Sequence, residues 1–133
     1  MQGVHALTDI TGFGLAGHAL ELARGAKLGV RIAWSKVPLL AGVRDLATQG
    51  MVTGASGRNW GGYGADVRLP GAFAAEDQAL LTDPQTSGGL LVACAPDSLQ
   101  DVMACFGRHG FAAAAAIGRV APAAGPARLV VER

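Results

Sequence analysis

Glycine interrupts this chain so often that no apolar run grows long. Twenty of the 133 residues are glycine, and the longest apolar stretch, Phe111 to Ile117, is mostly alanine. Glycine supplies tight turns at a cost in chain entropy, and alanine supplies little packing mass, so a stable fold of this sequence leans on a sheet. The length suits one domain, able to bury a core without disulfides or metals as staples. The Phe111 to Ile117 run falls far short of the roughly 18 apolar residues of a bilayer span, so no membrane partner is expected. Met1-Gln2-Gly3-Val4-His5 lacks the basic and apolar segments of a secretory signal, which makes the cytoplasm the expected location. A net charge of +1 offers no basic stripe for nucleic acid.

Periodicity places the elements. Leu15, Ala19 and Leu22 share a helical face with Ala16, Leu20 and Ala23 beside them, and Gly25 is the expected stop. Leu28 to Trp34 alternates with period two, which predicts a strand with Val30, Ile32 and Trp34 on one face. A short helix over 41–48 is closed by Gly50. Residues 51–71, with six glycines, read as a long ordered loop. A helix over 74–81 stops before Asp83-Pro84, because proline disfavours helical geometry in the residue before it. A strand over 90–95 and a helix over 96–108 follow, the helix with Pro96 in its first turn and Leu99, Val102, Met103 and Phe106 as its apolar stripe. Strands over 114–120 and 128–132 flank a turn. This order predicts an α+β domain with helices packed on a mixed, largely antiparallel sheet.

Two segments carry chemistry. In Thr8-Asp9-Ile10-Thr11-Gly12-Phe13-Gly14-Leu15 one carboxylate precedes a glycine-broken turn that opens into a helix. Mg²⁺ takes oxygen ligands and is commonly held by one or two carboxylates together with substrate phosphates, so Asp9 alone is a sufficient local contribution. Thr11 and Gly12, with Phe13 and Gly14, offer hydroxyl and backbone N–H groups at a helix start, where a phosphate is favoured. The competing reading makes Asp9 or Thr11 a helix cap. In the second segment, Asp83-Pro84-Gln85-Thr86-Ser87-Gly88-Gly89, two glycines permit close backbone approach; the alternative is a plain helix-to-strand connection. Arg58 is either a phosphate partner or a solvated surface arginine, and Asn59 reads as structural. His18 lies on the apolar side of the first helix and reads as a core or edge residue, while His5 and His109 have no partner at metal or triad spacing. Cys94 and Cys105 show no zinc spacing and read as buried, inert thiols.

The two segments, in this order and with Arg58-Asn59 between them, resemble the C-terminal half of the selenide, water dikinases, or selenophosphate synthetases, of the aminoimidazole ribonucleotide synthetase superfamily. The resemblance runs from about Val4 to Arg119. Phe13 in Thr-Gly-Phe-Gly, together with Asp-Pro-Gln-Thr-Ser-Gly-Gly, favours this family over its relatives. Those relatives include aminoimidazole ribonucleotide synthetase, formylglycinamidine synthase, thiamine monophosphate kinase and the hydrogenase maturation dehydratase. The segment Val52 to Asn59 departs from the family's usual Pro-Gly-Gly run.

The resemblance implies an aminoimidazole ribonucleotide synthetase C-terminal-domain-like fold over residues 1–133. It implies conversion of ATP, selenide and water to selenophosphate, AMP and phosphate, with Asp9 as a Mg²⁺ ligand. It also places the family's reactive cysteine or selenocysteine, its essential lysine, its main ATP site and its homodimer core in an N-terminal domain that this chain does not contain. No catalytic residue is therefore carried onto this chain, Cys94 and Cys105 included. The expected partner is that N-terminal half or a full-length homologue, and the chain by itself is expected to be inactive. The alternatives are a non-catalytic binding or assembly module and half of a related superfamily enzyme.

Overall fold

The computed structural model describes residues 2–123 and 125–133. The elements run β1 (Val4–Asp9), α1 (Gly14–Ala26), β2 (Gly29–Ala33), α2 (Val43–Thr48), α3 (Gly54–Tyr63), β3 (Val67–Arg68), α4 (Ala75–Leu81), β4 (Leu90–Cys94), α5 (Leu99–Arg108), β5 (Gly118–Ala121) and β6 (Leu129–Glu132). Four strands form a mixed sheet in the order β3-β6-β2-β5. β6 runs parallel to both β2 and β3, and β5 is antiparallel to β2. β1 and β4 form a separate antiparallel ribbon. Helices packed on a mixed sheet are the α+β architecture that the periodicities predict.

The core forms where α1 crosses the larger sheet. Leu15, Ala16, Ala19 and Leu20 meet Ile32, Leu129 and Val131, with Trp34, Val67, Leu81 and Ile10 around them. Alanines at the contact let the helix axis approach the sheet, which is why a chain with so little side-chain mass still encloses a core. Leu20, Ile32, Leu81 and Leu129 are fully buried and contribute roughly 1.5–3 kcal/mol each. Period-two alternation holds on β2: Ile32 points inward, while Arg31 points outward and pairs with Glu132 at 2.6 Å.

Several expectations need correction. Residues 51–71 are not a loop, because α3 occupies the middle of the segment. Thr53 caps it by accepting from the Ser56 N–H at 3.2 Å. The buried Ser56 hydroxyl meets Thr82 Oγ1 at 2.6 Å and donates to the Ala79 carbonyl at 2.9 Å. Gly57, Gly61 and Gly62 lie on the solvent side of the helix. Tertiary contacts to α4 thus outweigh about 1 kcal/mol per helical glycine. β1 was not expected at all: its residues are half polar and gain a strand only by pairing with β4. Ala114 to Ile117 lie outside the strand that begins at Gly118, and Trp34 leaves β2 to start a short 3-10 turn. Helix α1 passes through Gly25 and ends at Ala26, with Lys27 in the left-handed conformation at φ 56°. Cys94 and Cys105 are half-buried rather than buried.

Candidate functional site

The two polar segments, about seventy residues apart in sequence, are locked against each other. The Gln85 N–H donates to the Thr11 carbonyl at 3.0 Å, and the Ile10 N–H donates to the Gly89 carbonyl at 2.9 Å. Two glycines make this approach possible. A Cβ on Gly88 would sit 1.9 Å from the Ile10 carbonyl oxygen, and one on Gly14, at φ +69°, would sit 2.7 Å from the Thr82 carbonyl carbon. From α3, the Asn59 side-chain amide donates to the Gly12 carbonyl at 2.9 Å and to the Thr82 carbonyl at 3.0 Å. Asn59 is structural, as expected, and the structure it holds is the junction of the two segments. Tyr63, also on α3, donates its hydroxyl to the Phe13 carbonyl at 2.5 Å. Both Asn59 and Tyr63 lie in the segment read as a loop, and sequence alone carries no signal that they meet this turn.

Asp9 ends β1 with its side chain exposed, directly opposite Leu90 of β4. The Thr8 hydroxyl donates to the Asp9 main-chain carbonyl at 3.1 Å, and no described residue pairs with the carboxylate. The N-cap position of α1 is Phe13, and no side chain caps the helix. Neither Asp9 nor Thr11 is therefore a helix cap here. An exposed carboxylate with no internal partner fits a hard divalent cation that keeps most of its waters. Among the described residues no group of three or more His, Cys, Asp or Glu side chains converges to hold a metal.

At the turn itself, the Thr11 carbonyl also accepts from the Gly14 N–H at 3.1 Å, so that amide faces back into the chain. Gly12 is exposed, and a Cβ there would meet nothing within 4 Å. Thr11 Oγ1 lies 3.1 Å from His18 Nε2, and His18 Nδ1 lies 2.8 Å from Glu21 Oε2. His18 is buried, as expected of a residue on the apolar side of α1, but it is also the middle member of a polar chain. Spacings of three and seven residues put Glu21, His18 and the turn on one helical face, a signal that the sequence reading did not use.

Burial shapes two ionisable groups beside the turn. It pushes the Tyr63 phenol up to about 12, against an opposing contribution from the Gly17 backbone. It also raises the Asp83 carboxyl above its ordinary range, while the Thr53 hydroxyl, 3.4 Å away, pulls in the other direction. Arg58 is exposed on α3 and makes no hydrogen bond to either segment among the described residues.

Known proteins resemble the chain along almost its whole length. Residues 1–130 match the family model for AIR synthase related protein, C-terminal domain. A selenide, water dikinase of Burkholderia orbicola is 60% identical over 131 residues, covering 98% of this chain and 36% of that protein. One from Burkholderia pseudomallei is 63% identical over 120 residues, or 90% of this chain and 34% of that protein. The chain thus spans about a third of the length of these curated relatives. The crystal structure of E. coli HypE, a hydrogenase maturation protein, superposes with a TM-score of 0.66 at 23% identity, covering 97% of this chain and 32% of that one. At that identity the likeness speaks to the fold.

Proposed function

The chain belongs to the AIR synthase related protein, C-terminal domain family, and we propose that within it the chain is the C-terminal part of a selenophosphate synthetase. In this reading Asp9 contributes one Mg²⁺ ligand, and Thr11 and Gly12 lie near the phosphate chain of ATP. The remaining ligands and the groups that react with selenide come from an N-terminal part. The observation that carries the reading is the junction of the two polar segments, which holds the Asp9 to Gly14 turn rigid while leaving the Asp9 carboxylate exposed and unpaired. A rigid backbone with one free anion is what a metal-bound phosphate needs from a partial site. On this proposal the complete enzyme is a cytoplasmic homodimer that uses ATP and selenide.

Reconstitution with an N-terminal part from a selenide, water dikinase relative tests it. The chain alone forms no selenophosphate, and the reconstituted complex does. Asp9→Asn then lowers Mg²⁺-dependent turnover by about tenfold or more, because the amide keeps the size but loses the anion. Unfolding midpoints of the two chains stay together, since Asp9 neither caps a helix nor pairs with any described residue. Unchanged turnover and unchanged Mg²⁺ dependence in Asp9→Asn would sink the ligand role.

A further inference from the structure

Thr11, His18 and Glu21 form a hydrogen-bonded chain whose direction, with the imidazole neutral, follows from what each group can donate. A neutral imidazole carries one N–H, and its location is set by the hydrogen bond at the other nitrogen. Glu21 when ionised only accepts, so at 2.8 Å it takes the proton-bearing nitrogen to be Nδ1. Nε2 is then a bare acceptor, and its partner among the described residues, the Thr11 hydroxyl at 3.1 Å, has to donate. The ring cannot readily turn away. It is 6% exposed, and the Phe13 ring lies against it with centroids 5.7 Å apart. The Thr11 backbone is also held, because its carbonyl accepts from both Gly14 and Gln85.

We infer that Glu21, through His18, turns the Thr11 hydroxyl proton inward and so presents the Thr11 oxygen as an acceptor at the turn. Thr11 then accepts from a water on the divalent cation, or binds the cation itself, and does not donate to a phosphate oxygen. His18 and Glu21 are positioning residues. The inference rests on the reading of Asp9 as a cation ligand, and it reverses the donor role that a hydroxyl at a helix start suggests.

Two measurements test it, one on the whole chain and one on its complex with an N-terminal part. Long-range ¹H–¹⁵N correlation spectra at mildly alkaline pH report which imidazole nitrogen carries the proton. Wild type shows His18 protonated at Nδ1 and bare at Nε2, and Glu21→Ala, at a half-exposed side chain, moves proton population to Nε2. A wild-type ring protonated at Nε2 overturns the inference. Mn²⁺, titrated into the chain reconstituted with an N-terminal part and followed by water-proton relaxation, reads the consequence. Thr11→Val and Glu21→Ala each weaken Mn²⁺ by roughly tenfold, as loss of a group that orients a metal ligand does, and Thr11→Ser restores the wild-type affinity. No Mn²⁺ binding by the wild-type complex, or a Thr11→Val complex that loses inorganic phosphate but keeps its Mn²⁺ affinity, overturns the acceptor role. Asp9→Asn separates the two levels. Unchanged Mn²⁺ affinity there removes the cation from this turn and overturns both readings. Loss in Asp9→Asn with no change in Thr11→Val and Glu21→Ala overturns the relay alone.

Discussion

Tyr63 shows how one side chain ties packing to ionisation. Its hydroxyl reaches the Phe13 carbonyl from α3, and a Cβ on Gly17 would lie 3.0 Å from its ring, so the phenol sits where its anion is poorly solvated. The folded pKa of about 12 lies above the ordinary 10. A raised folded value means that the folded chain holds the proton more tightly than the unfolded chain. The resulting stability is complete below about pH 10 and is lost as pH rises through about 12. Urea midpoints across this window should fall more steeply for wild type than for Tyr63→Phe, which has no proton to lose. Asp83 has the same sign at the acid end. Its raised value makes the carboxylate at neutral pH less favourable in the folded than in the unfolded chain. Asp83→Asn should therefore raise the midpoint at neutral pH, with the gain shrinking as pH falls through the carboxyl range. A loss of stability on that substitution would mean that the charge has a structural partner.

Among the elements, the junction and the end of α1 make the sharpest demands on particular residues. Gly88→Ala drives a methyl into the Ile10 carbonyl, so the segment before β4 has to leave the turn after β1. Chemical denaturation should show a loss of about 2 kcal/mol or more. The neighbouring Gly89→Ala, where a Cβ meets nothing within 4 Å, should cost under about 1 kcal/mol. Equal losses at both positions would indicate that glycine flexibility, not close approach, governs the segment. Lys27 at the end of α1 holds a left-handed conformation that a side chain adopts at a cost of about 1–2 kcal/mol. Lys27→Gly should recover about 0.5–1 kcal/mol after the entropy of glycine and the lost charge at the helix C-terminus are subtracted.

At the scale of the whole molecule, stability is expected to divide along the two sheets. The larger sheet has α1 packed on it, whereas the β1–β4 ribbon has only two strands, and its outer face leaves Leu7 58% and Leu90 51% exposed beside Asp9. Two-stranded ribbons are marginal alone. Hydrogen exchange should therefore be faster at β1 and β4 amides than at β2 and β6, and binding of an N-terminal part should slow exchange selectively in the ribbon. Uniform protection in the isolated chain would mean that the ribbon is as stable as the larger sheet, and no slowing on reconstitution would argue that this face stays solvated in the proposed complex.

Local patterns were enough to place most of the elements. Helical and period-two spacings located α1, β2 and α5 to within a few residues, because burial of one face imposes its period on the sequence, while the proline after α4 and the glycines before β4 marked those two elements. Thr8 to Leu15 and Asp83 to Gly89 marked both halves of the candidate site, since a tight polar turn needs glycine and oxygen-bearing side chains wherever it occurs. Only the tertiary structure decided that α3 is a helix, that Asn59 fastens the two halves, that β1 is a strand, and that His18 joins Thr11 to Glu21 across the first turns of α1. Those outcomes depend on hydrogen bonds between residues distant in sequence, or on the direction in which a buried ring faces, and neither leaves a period in the chain.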